Sequence, residues 1–417
     1  MSNFDLVIIG GGAAGIFAAI SANKANPKQS ILIIEQSFSL GRKILVSGAG
    51  RCNLTNINLK DDFENHYYSD TPEILENVFG QFGYQSLINL FDDFGIKTYI
   101  EQKTNIGKVF PVTDSAKNIL KIFEDEINIR GIKIQLNTTV TSIEHTRLSF
   151  TLKTNLQDVI VARKIVIAVG GMTYPALGSN GSLYNEIVRT GHSIIKCVPA
   201  AVPLTSKDKL IHLLQGTKLE MTVKSIIDGR EIKSNTNDVL FTMYGLSGSA
   251  ILNLSREISV HINRNGGQNC ELILNFLPEF NYHTFKSFLD ETSINHPKFT
   301  IERTLLGLLN TKIVSSIFQI AEIPAEKLIR DLSENQLARL IEMLINFRVK
   351  VNGTRGWNEA EFTAGGIPAS EINSKTLEST KVKNLYFCGE IINCDGDIGG
   401  YNLSWAFCSG FVAGMTQ

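Results

Sequence analysis

The sequence has no long apolar run and almost no net charge. Its apolar segments stay well short of the roughly 18 consecutive residues that a membrane-spanning helix needs, so we expect no membrane contact. With 40 Lys and Arg against 41 Asp and Glu, the formal net charge is −1. A neutral chain has no general attraction for the phosphates of nucleic acids. The sequence therefore predicts no nucleic acid as a partner.

Targeting and metal-binding signatures are also missing. The N-terminus is polar and lacks the basic region that opens a secretory signal, so we expect a cytoplasmic protein. The six cysteines form no Cys-x-x-Cys pair, and no histidine cluster has zinc-like spacing, so we expect no metal. Cys388 and Cys394 lie near each other in a glycine-rich stretch. Two interpretations stay open for them: free thiols, which a reducing compartment favours, or a redox pair.

The first 35 residues have the pattern of a βαβ unit. The apolar run Asp5–Ile9 predicts a buried strand, the alanine-rich segment Ile16–Asn23 a helix, and Ser30–Ile34 a second strand. The six residues between the first strand and the helix, Gly10–Gly15, read GGGAAG. This order and size are typical of the unit that binds a dinucleotide.

Each glycine of this turn has a physical purpose in such a unit. Gly10 permits the tight turn, Gly12 leaves space for a pyrophosphate, and Gly15 lets the helix pack closely on the strand. The free N–H groups of the helix N-terminus attract phosphate, and Glu35 can accept hydrogen bonds from ribose hydroxyls. The residues that this unit contributes to the predicted site are Gly10, Gly12, Ala13, Ala14, Gly15, Glu35 and Gln36.

The segment that follows favours FAD over NAD. Gly41–Asn53 (GRKILVSGAGRCN) holds three glycines and three cations. A flavin needs a second contact surface beyond its ADP half, with positive charge near the N1/O2 edge of the ring. The alternative is a solvated basic loop. The predicted cofactor contacts in this segment are Gly41, Arg42, Lys43, Ser47, Gly48, Arg51, Cys52 and Asn53.

Two further segments fit the same cofactor. Lys164–Val169 predicts a buried strand that ends in two glycines, where the chain must pass close to another group. Ile132–Val140 predicts a strand whose backbone could face the adenine, although an ordinary sheet strand explains it equally well. From these segments we take Val140, Ala168 and Gly170 as candidate cofactor contacts.

The C-terminal segment repeats the combination of strand, glycine and acid. Asn384–Phe387 predicts a strand that leads to Gly389 and Glu390, and Ser404–Gly414 predicts a helix. Glu390 could hold hydroxyls of the ribityl chain, and the helix N-terminus could face the pyrimidine edge of a flavin. A site made from both ends of a chain is typical of FAD domains. The predicted contacts here are Gly389, Glu390, Gly399, Gly400, Tyr401 and Asn402.

In the middle of the chain, the sequence pattern changes from one that predicts strands to one that predicts helices. The sequence therefore predicts four segments: a cofactor domain at 1–195, a β-rich insert at 196–280, a helical insert at 281–346 and the returning cofactor domain at 347–417. A long amphipathic helix is predicted over Lys327–Phe347. The predicted strands of the β-rich insert are Val202–Leu204, Leu219–Ile227, Val239–Met243, Val260–Asn263 and Glu271–Phe276.

The whole chain resembles the BaiN/YhiN-type flavoproteins, also described as aminoacetone-oxidase-like NAD(P)/FAD-dependent oxidoreductases. The resemblance implies an α/β fold: a Rossmann-type FAD-binding domain formed by both chain ends, with an inserted β-barrel domain and a small helical domain. It also implies an FAD site that includes the Gly10 loop, Glu35, parts of Gly41–Asn53, Val140, Gly389–Glu390 and Gly400–Asn402. The matching motifs lie at Gly10–Gly15, Gly41–Asn56, Lys108–Pro111, Ala168–Gly171, Tyr174–Pro175, Leu240–Gly248, Thr363–Gly366, Gly389–Glu390 and Gly399–Trp405.

FAD would carry the redox chemistry, and the protein would supply position and protons. The chain has no second Gly-x-Gly-x-x-Gly motif, so we expect NADH or NADPH to dock transiently as electron donor. Tyr401 and Asn402 are expected to touch the flavin ring. Cys52 is either a nucleophile or a small buried apolar side chain. His192 and His212 are expected at the surface; further candidate proton donors or substrate contacts are Tyr174, Tyr244, Asp395 and Asp397.

The sequence therefore predicts an FAD-dependent oxidoreductase that acts on a small, largely apolar molecule. Two alternatives stay open: an amine-type oxidase that uses O₂, and a flavin-binding protein without catalysis. An RNA-modifying flavoenzyme is disfavoured by the near-zero net charge of −1.

Overall fold

The computed structural model describes residues 2–102 and 106–416. The chain forms two compact units, one made of the residues up to Val198 with those from Glu361 onward, the other of Pro199–Ala360. The strands, numbered along the chain, are β1 Ser2–Ile9, β2 Ile31–Ile34, β3 Thr55–Asn56, β4 Tyr67–Ser69, β5 Thr98–Ile100, β6 Lys108–Pro111, β7 Lys133–Gln135, β8 Val140–His145, β9 Phe150–Thr154, β10 Val159–Ile167, β11 Ile195–Ala200, β12 Leu204–Thr205, β13 Lys218–Ile227, β14 Arg230–Thr242, β15 Gly245–Ser247, β16 Cys270–Asn275, β17 Phe347–Lys350, β18 Gly353–Thr354, β19 Phe362–Gly366, β20 Leu385–Phe387 and β21 Cys394–Gly396.

The helices belong to both units. Among the residues that the structure describes, no helix is both long and apolar enough to cross a membrane. The helices are α1 Ala13–Ala25, α2 Glu73–Gln81, α3 Tyr84–Asp93, α4 Ala116–Ile129, α5 Tyr184–Arg189, α6 Lys209–Leu213, α7 Ser249–Ser259, α8 Tyr282–Asn295, α9 Ile301–Leu306, α10 Thr311–Ala321, α11 Glu334–Ile345 and α12 Tyr401–Met415.

The first unit is built on a mixed sheet with a parallel centre. Its strand order is β7-β2-β1-β10-β9-β8, and β20 also pairs with β10. The pairs β2–β7, β1–β2, β1–β10 and β10–β20 are parallel, whereas β8 and β9 form antiparallel pairs. Leu6–Ile9 of β1 and Ile31–Ile34 of β2 are buried, as expected for parallel strands covered on both faces. This confirms the predicted mixed α/β, Rossmann-type architecture.

The two ends of the chain meet through close packing of α1 and α12. A Cβ atom added at Gly410 would lie 2.3 Å from the carbonyl oxygen of Ala14, and one at Gly414 would lie 2.2 Å from that of Ala18. Both positions therefore need glycine for the helix backbones to approach. This contact brings the C-terminal segment to the dinucleotide-type turn at the start of α1.

The strand predicted over Ile132–Val140 is wrong as a single element. The structure has two strands there, β7 parallel to β2 and β8 antiparallel to β9. Asn137 between them adopts a left-handed conformation with φ of 52°, which asparagine tolerates better than most residues. The apolar alternation continues across this turn, so periodicity alone hid the change of partner.

The second unit combines an antiparallel sheet, ordered β17-β16-β13-β14-β15-β12-β18, with helices α6 to α11. Strand residues such as Leu272 and Val349 share one apolar core with helix residues such as Leu305 and Leu340. Because β17 pairs with β16, the unit extends to Ala360, beyond the predicted boundary at 346. The predicted β-rich and helical inserts share this core.

Two predicted elements of the second unit differ from the structure. Val260–Asn263 is not a strand: the chain continues from α7 into a π-helical turn, Val260–Arg264. The β-branched residues there suggested a strand. The helix nevertheless continues into them, because α7 directly before them is held in the core by its buried side chains. The helix predicted from Lys327 begins later, at Glu334, because Ser333 and Gln336 form a capping box.

Candidate functional site

The glycine turn before α1 is tight on one side and open on the other. A Cβ at Gly10, whose φ is +105°, would lie 2.4 Å from the carbonyl oxygen of Ala168, directly after the neighbouring strand β10. A Cβ at Gly15 would lie 1.9 Å from the carbonyl oxygen of Gly10. A Cβ at Gly12 would meet nothing within 4 Å. Gly10 and Gly15 therefore allow close packing, whereas Gly12 leaves space at the N-terminus of α1.

The N-terminus of α1 presents unpaired backbone donors to that space. Gly12 caps the helix without a side-chain hydrogen bond, and the first turn contains no acidic residue. The first intrahelical bond runs from the N–H of Ile16 to the carbonyl of Gly12, so the N–H groups of Ala13 and Ala14 have no intrahelical acceptor. Such an end favours a phosphate group.

Glu35 lies at the end of β2 and braces the same turn. Its carboxylate accepts the N–H of Gly11 at 2.7 Å and the N–H of Ser37 at 2.8 Å. The neighbouring Gln36 side chain donates to the carbonyl of Gly178. A carboxylate has about four acceptor positions, so Glu35 keeps capacity for ribose hydroxyls beside the two backbone bonds.

The Gly389–Glu390 turn lies directly beside the start of α1. A Cβ at Gly389 would lie 2.8 Å from the Cβ of Ala14. Two side chains of α12 hold the turn: Ser409 accepts the N–H of Gly389 at 2.9 Å, and the indole of Trp405 donates to its carbonyl at 3.0 Å. The two glycine segments predicted to form one site are therefore in contact.

Glu390 is the centre of a polar network that joins four segments. Its carboxylate lies 2.7 Å from the Lys43 ammonium and accepts the N–H groups of Thr363 at 2.8 Å and Gly171 at 3.3 Å. Lys43 also donates to the Thr173 hydroxyl at 2.5 Å. Burial alone would raise the pKa of Glu390, but Lys43 and the hydrogen bonds outweigh it and lower that pKa.

The other two predicted cations have different partners. Arg51 pairs with Glu101 at 2.9 Å and lies 4.0 Å from the ring centre of Phe110. Arg42 donates to the carbonyl of Ala176 at 2.9 Å. Of the three cations, Lys43 is the one that contacts Glu390.

The start of α12 forms a second anion-compatible position. Gly400 caps the helix with φ of +106°, and a Cβ there would lie 2.5 Å from the carbonyl oxygen of Thr55. Asn53 Oδ1 is buried beside Gly400 and has no hydrogen-bond partner within the described ranges. The side chain of Asn402 bonds both the N–H (2.9 Å) and the carbonyl (2.7 Å) of Gly396. Asn402 thus fixes the loop that precedes the helix.

The ring of Tyr401 is enclosed by its neighbours. Its hydroxyl accepts a hydrogen bond from Asn58 at 3.2 Å, and its ring stacks on His66 with 4.4 Å between ring centres. His66 in turn lies 3.2 Å from the carboxylate of Asp397. Burial raises the pKa of Tyr401 well above its usual value. The sequence around His66 did not indicate that it lies beside Tyr401 and Asp397, since His66 is over 330 residues from Asp397 in the chain.

Within the residues that the structure describes, none of the six cysteines forms a disulfide bond. Cys52 is fully buried, and burial raises its pKa to about 12, so the thiol stays protonated at neutral pH. This environment supports the packing interpretation of Cys52 over the nucleophile. Cys388 and Cys394 are both buried, and burial raises the pKa of Cys388 as well.

Other predicted residues lie around this arrangement. Gly170 has φ of +72°, and Ala168 contacts Gly10. Val140 opens β8, two residues after Thr138, whose N–H donates to the Glu35 carbonyl at 3.0 Å.

Two of the remaining predictions concern residues outside this network. Tyr244 belongs to the second unit, where Arg355 lies 4.6 Å from its ring centre. His192, expected at the surface, is buried: its ring nitrogens lie 2.8 Å from the hydroxyls of Thr190 and Ser379. That prediction was wrong because a histidine with two hydroxyl partners can be buried in its neutral form.

The residues present fit FAD. Space at Gly12, the donors of α1, the orphaned Asn53 oxygen and the start of α12 offer positions for a pyrophosphate and for a polar ring edge. In the described parts of the chain, no cluster of three or more His, Cys, Asp or Glu could hold a metal ion.

Comparison with known proteins defines the class. The family described as "HI0933-like protein Rossmann domain" matches residues 4–416, and the chain belongs to this family. It is a family of FAD-dependent oxidoreductases, so the chain is a flavin-dependent enzyme. The resemblance to BaiN/YhiN-type flavoproteins is thereby confirmed.

Three relatives cover nearly the whole chain. The 3-dehydro-bile acid delta(4,6)-reductase of Clostridium scindens is 30% identical over 98% of this chain and 97% of its own. The ribosomal RNA dihydrouridine synthase of Escherichia coli is 33% identical over 99% of this chain and 97% of its own. The enzyme of the same name from Haemophilus influenzae is 30% identical over 98% of this chain and 97% of its own.

Proposed function

We propose that the protein reduces a carbon–carbon double bond conjugated with a carbonyl group. One observation carries the proposal: relatives named for two very different substrates act on the same type of bond. The 4,6 double bonds that this name gives to a 3-dehydro bile acid are conjugated with its 3-ketone. The uracil double bond that is absent from dihydrouridine is conjugated with a ring carbonyl. A shared catalytic centre for this bond, with a variable substrate surface, accounts for both names.

The residues of this chain would divide the work around FAD. The turn at Gly12 and the start of α1 would hold the pyrophosphate, and Glu35 the adenosine ribose. The start of α12 would stabilise negative charge at the pyrimidine edge of the ring, and the unpaired Asn53 Oδ1 would accept a hydrogen bond from a ring N–H. Bound FAD supplies the hydride chemistry, and the fold supplies a fixed position for it. The full set of cofactor contacts predicted from the sequence belongs to this proposal.

We infer that NADH or NADPH delivers the electrons by docking transiently. An anaerobic absorbance titration with each nucleotide tests this, because reduction bleaches the visible flavin bands. The reduced protein is then mixed with cyclohexenone, a small conjugated ketone, and the return of the bands is timed. Bleaching followed by reoxidation with the enone is the expected result. Reoxidation by O₂ alone, with peroxide release, would favour the amine-type oxidase. A flavin that neither nucleotide bleaches would favour a non-catalytic role.

A second candidate substrate is a uridine of ribosomal RNA. Two relatives named ribosomal RNA dihydrouridine synthase, at 33% and 30% identity, favour it against the sequence-based expectation of no nucleic acid partner. Unmodified ribosomal RNA, incubated with the protein and NADPH, would gain two hydrogens at one uridine, which mass spectrometry detects. If RNA is inert and the enone is reduced, the small apolar substrate is favoured.

A further inference from the structure

We propose that Tyr174 and Glu361 form the proton-delivery pair of the reductase, with Tyr174 donating to the substrate and Glu361 restoring the proton. The inference rests on the proposed function. Neither residue belongs to the predicted cofactor contacts, and they are 187 positions apart by their numbering. Three observations carry it: the contact between their segments, the backbone of Tyr174, and the charges that surround Glu361.

The segments of the two residues are held together beside Lys43. The N–H of Met172 donates to the Thr363 hydroxyl at 2.8 Å. The Thr173 hydroxyl donates to Glu390 at 3.3 Å, and the same carboxylate accepts the N–H of Thr363. Tyr174 directly follows Thr173, and Glu361 lies two residues before Thr363. Both therefore border the Lys43–Glu390 network, which joins the two predicted flavin segments.

Tyr174 is held in a conformation that its side chain disfavours. Its φ of 55° and ψ of 60° are left-handed, and Pro175 follows it. Such outliers cost free energy and cluster at functional sites, where the surrounding structure imposes them. Hydrogen bonds of the preceding residue constrain this backbone conformation, because Thr173 bonds both Lys43 and Glu390. The phenol of Tyr174, which directly follows Thr173 in the chain, is half-buried.

The charges around the pair suit proton transfer. Burial raises the pKa of Tyr174, and the charge of Glu361 raises it further. The positive charges of Lys108 and Lys43 favour the ionised form of Glu361. The Glu361 side chain remains accessible to solvent. Glu361 is therefore more exposed than the half-buried phenol of Tyr174.

The atoms and electrons of the reduction balance when Tyr174 and Glu361 deliver the proton. The β-carbon of the conjugated bond gains a hydride, supplied by FAD in its reduced form, and the double bond becomes an enolate. The α-carbon then gains the phenolic proton of Tyr174. The Glu361 carboxylate takes a proton from water and passes it to the tyrosinate, which leaves hydroxide in the solvent. The substrate gains two hydrogens in total, and no other reductant or oxidant is consumed beyond the nicotinamide donor.

The coupling is testable without turnover. Tyrosine labelled with carbon-13 at the hydroxyl-bearing ring carbon gives a signal that reports ionisation, and Tyr174→Phe identifies the signal of Tyr174. Because the carboxylate raises the phenol pKa, Glu361→Gln is expected to move this titration to lower pH. Glu144→Gln, at an exposed residue paired with Lys153, is the matched control and leaves it unchanged. An unmoved titration in Glu361→Gln would overturn the pair.

The donor role is tested by the enone step. Tyr174→Phe is expected to slow reoxidation of the reduced protein by cyclohexenone roughly 10²-fold or more, with unchanged reduction by nicotinamide. Glu361→Gln is expected to change the pH dependence of the same step. Tyr99→Phe is the matched control, because Tyr99 is also half-buried and bonds a carboxylate, Asp114, at 2.9 Å.

The outcomes separate the two proposals. Normal enone reduction by Tyr174→Phe would overturn the donor role and leave the proposed function intact. A parent protein that reduces neither cyclohexenone nor RNA would overturn the proposed function, and with it the donor role. Circular dichroism of every variant ensures that a slow step is not a folding defect.

Discussion

The Lys43 ammonium lies 2.7 Å from the Glu390 carboxylate, across 347 positions of sequence. The side chains of Lys43 and Glu390 are 31% and 18% exposed, and the Thr173 hydroxyl and the N–H of Thr363 complete the network around the pair. Such a pair contributes most when both partners are present, because removal of one leaves the other poorly solvated. Several consequences of this relationship and of the surrounding packing can be measured.

Lys43→Met is expected to destabilise the protein by about 1–3 kcal/mol at neutral pH, since Glu390 keeps its burial and loses its cation. The folded-state pKa of Glu390 is lowered, so its contribution is present above the unfolded pKa and is lost as pH falls through the folded pKa. The acid limb of the stability curve should therefore be shallower in the variant. Urea unfolding across pH measures both effects.

The matched control for Lys43→Met is Lys153→Met. Lys153 pairs with Glu144 at 2.6 Å, but both side chains are more than half exposed. Exposed pairs contribute roughly 0–1 kcal/mol, so the control should change stability little. Equal losses in the two variants would contradict a special contribution from the Lys43–Glu390 contact.

Gly410→Ala is expected to destabilise the protein by about 1–3 kcal/mol, because the added methyl would lie 2.3 Å from the carbonyl oxygen of Ala14. Gly80→Ala in α2 is the control: nothing lies within 4 Å of the added carbon there. Since alanine favours a helix over glycine, that variant should gain roughly 0.5–1 kcal/mol. Thermal unfolding of both proteins checks the opposite signs.

Glu35→Gln is expected to weaken FAD retention more than it alters the fold. The amide keeps one acceptor oxygen, so it cannot serve Gly11, Ser37 and a ribose together. Loss of one such bond, worth about 1–3 kcal/mol, corresponds to a roughly 5- to 150-fold weaker affinity.

The ratio of flavin to protein after extensive dialysis measures this retention, with the exposed Glu73→Gln as control. An unchanged flavin ratio in Glu35→Gln would show that this carboxylate takes no part in cofactor binding.

His192→Gln is expected to flatten part of the acid stability curve. Burial lowers the pKa of His192 from 6.5 to about 4, so the unfolded chain takes up a proton before the folded chain does. The parent should lose stability as pH falls from 6.5 towards 4, by roughly 3 kcal/mol at most. The exposed His212→Gln should retain the parental slope. A parental slope in His192→Gln as well would contradict the assignment.

Local pattern predicted the nucleotide-binding end of the molecule well. The strands around Ile8 and Ile33, the helix after Gly12 and the strand before Gly170 are all present, because each depends on residues close in sequence. Errors arose where a partner decides the structure. Val260–Asn263 has strand-like side chains but continues a buried helix, and Asn137 divides one apolar run between two sheet partners.

The sequence by itself determined that the chain carries a dinucleotide-type turn at Gly10–Gly15 and a second glycine segment at Gly389–Gly400, since glycine spacing and strand periodicity are local properties. Only the tertiary structure decided which cation meets Glu390, that His66 stacks on Tyr401, and that the segments of Tyr174 and Glu361 lie together. These contacts join residues hundreds of positions apart. Their geometry follows from sheet pairing and from the close approach of α1 and α12, which no local pattern encodes.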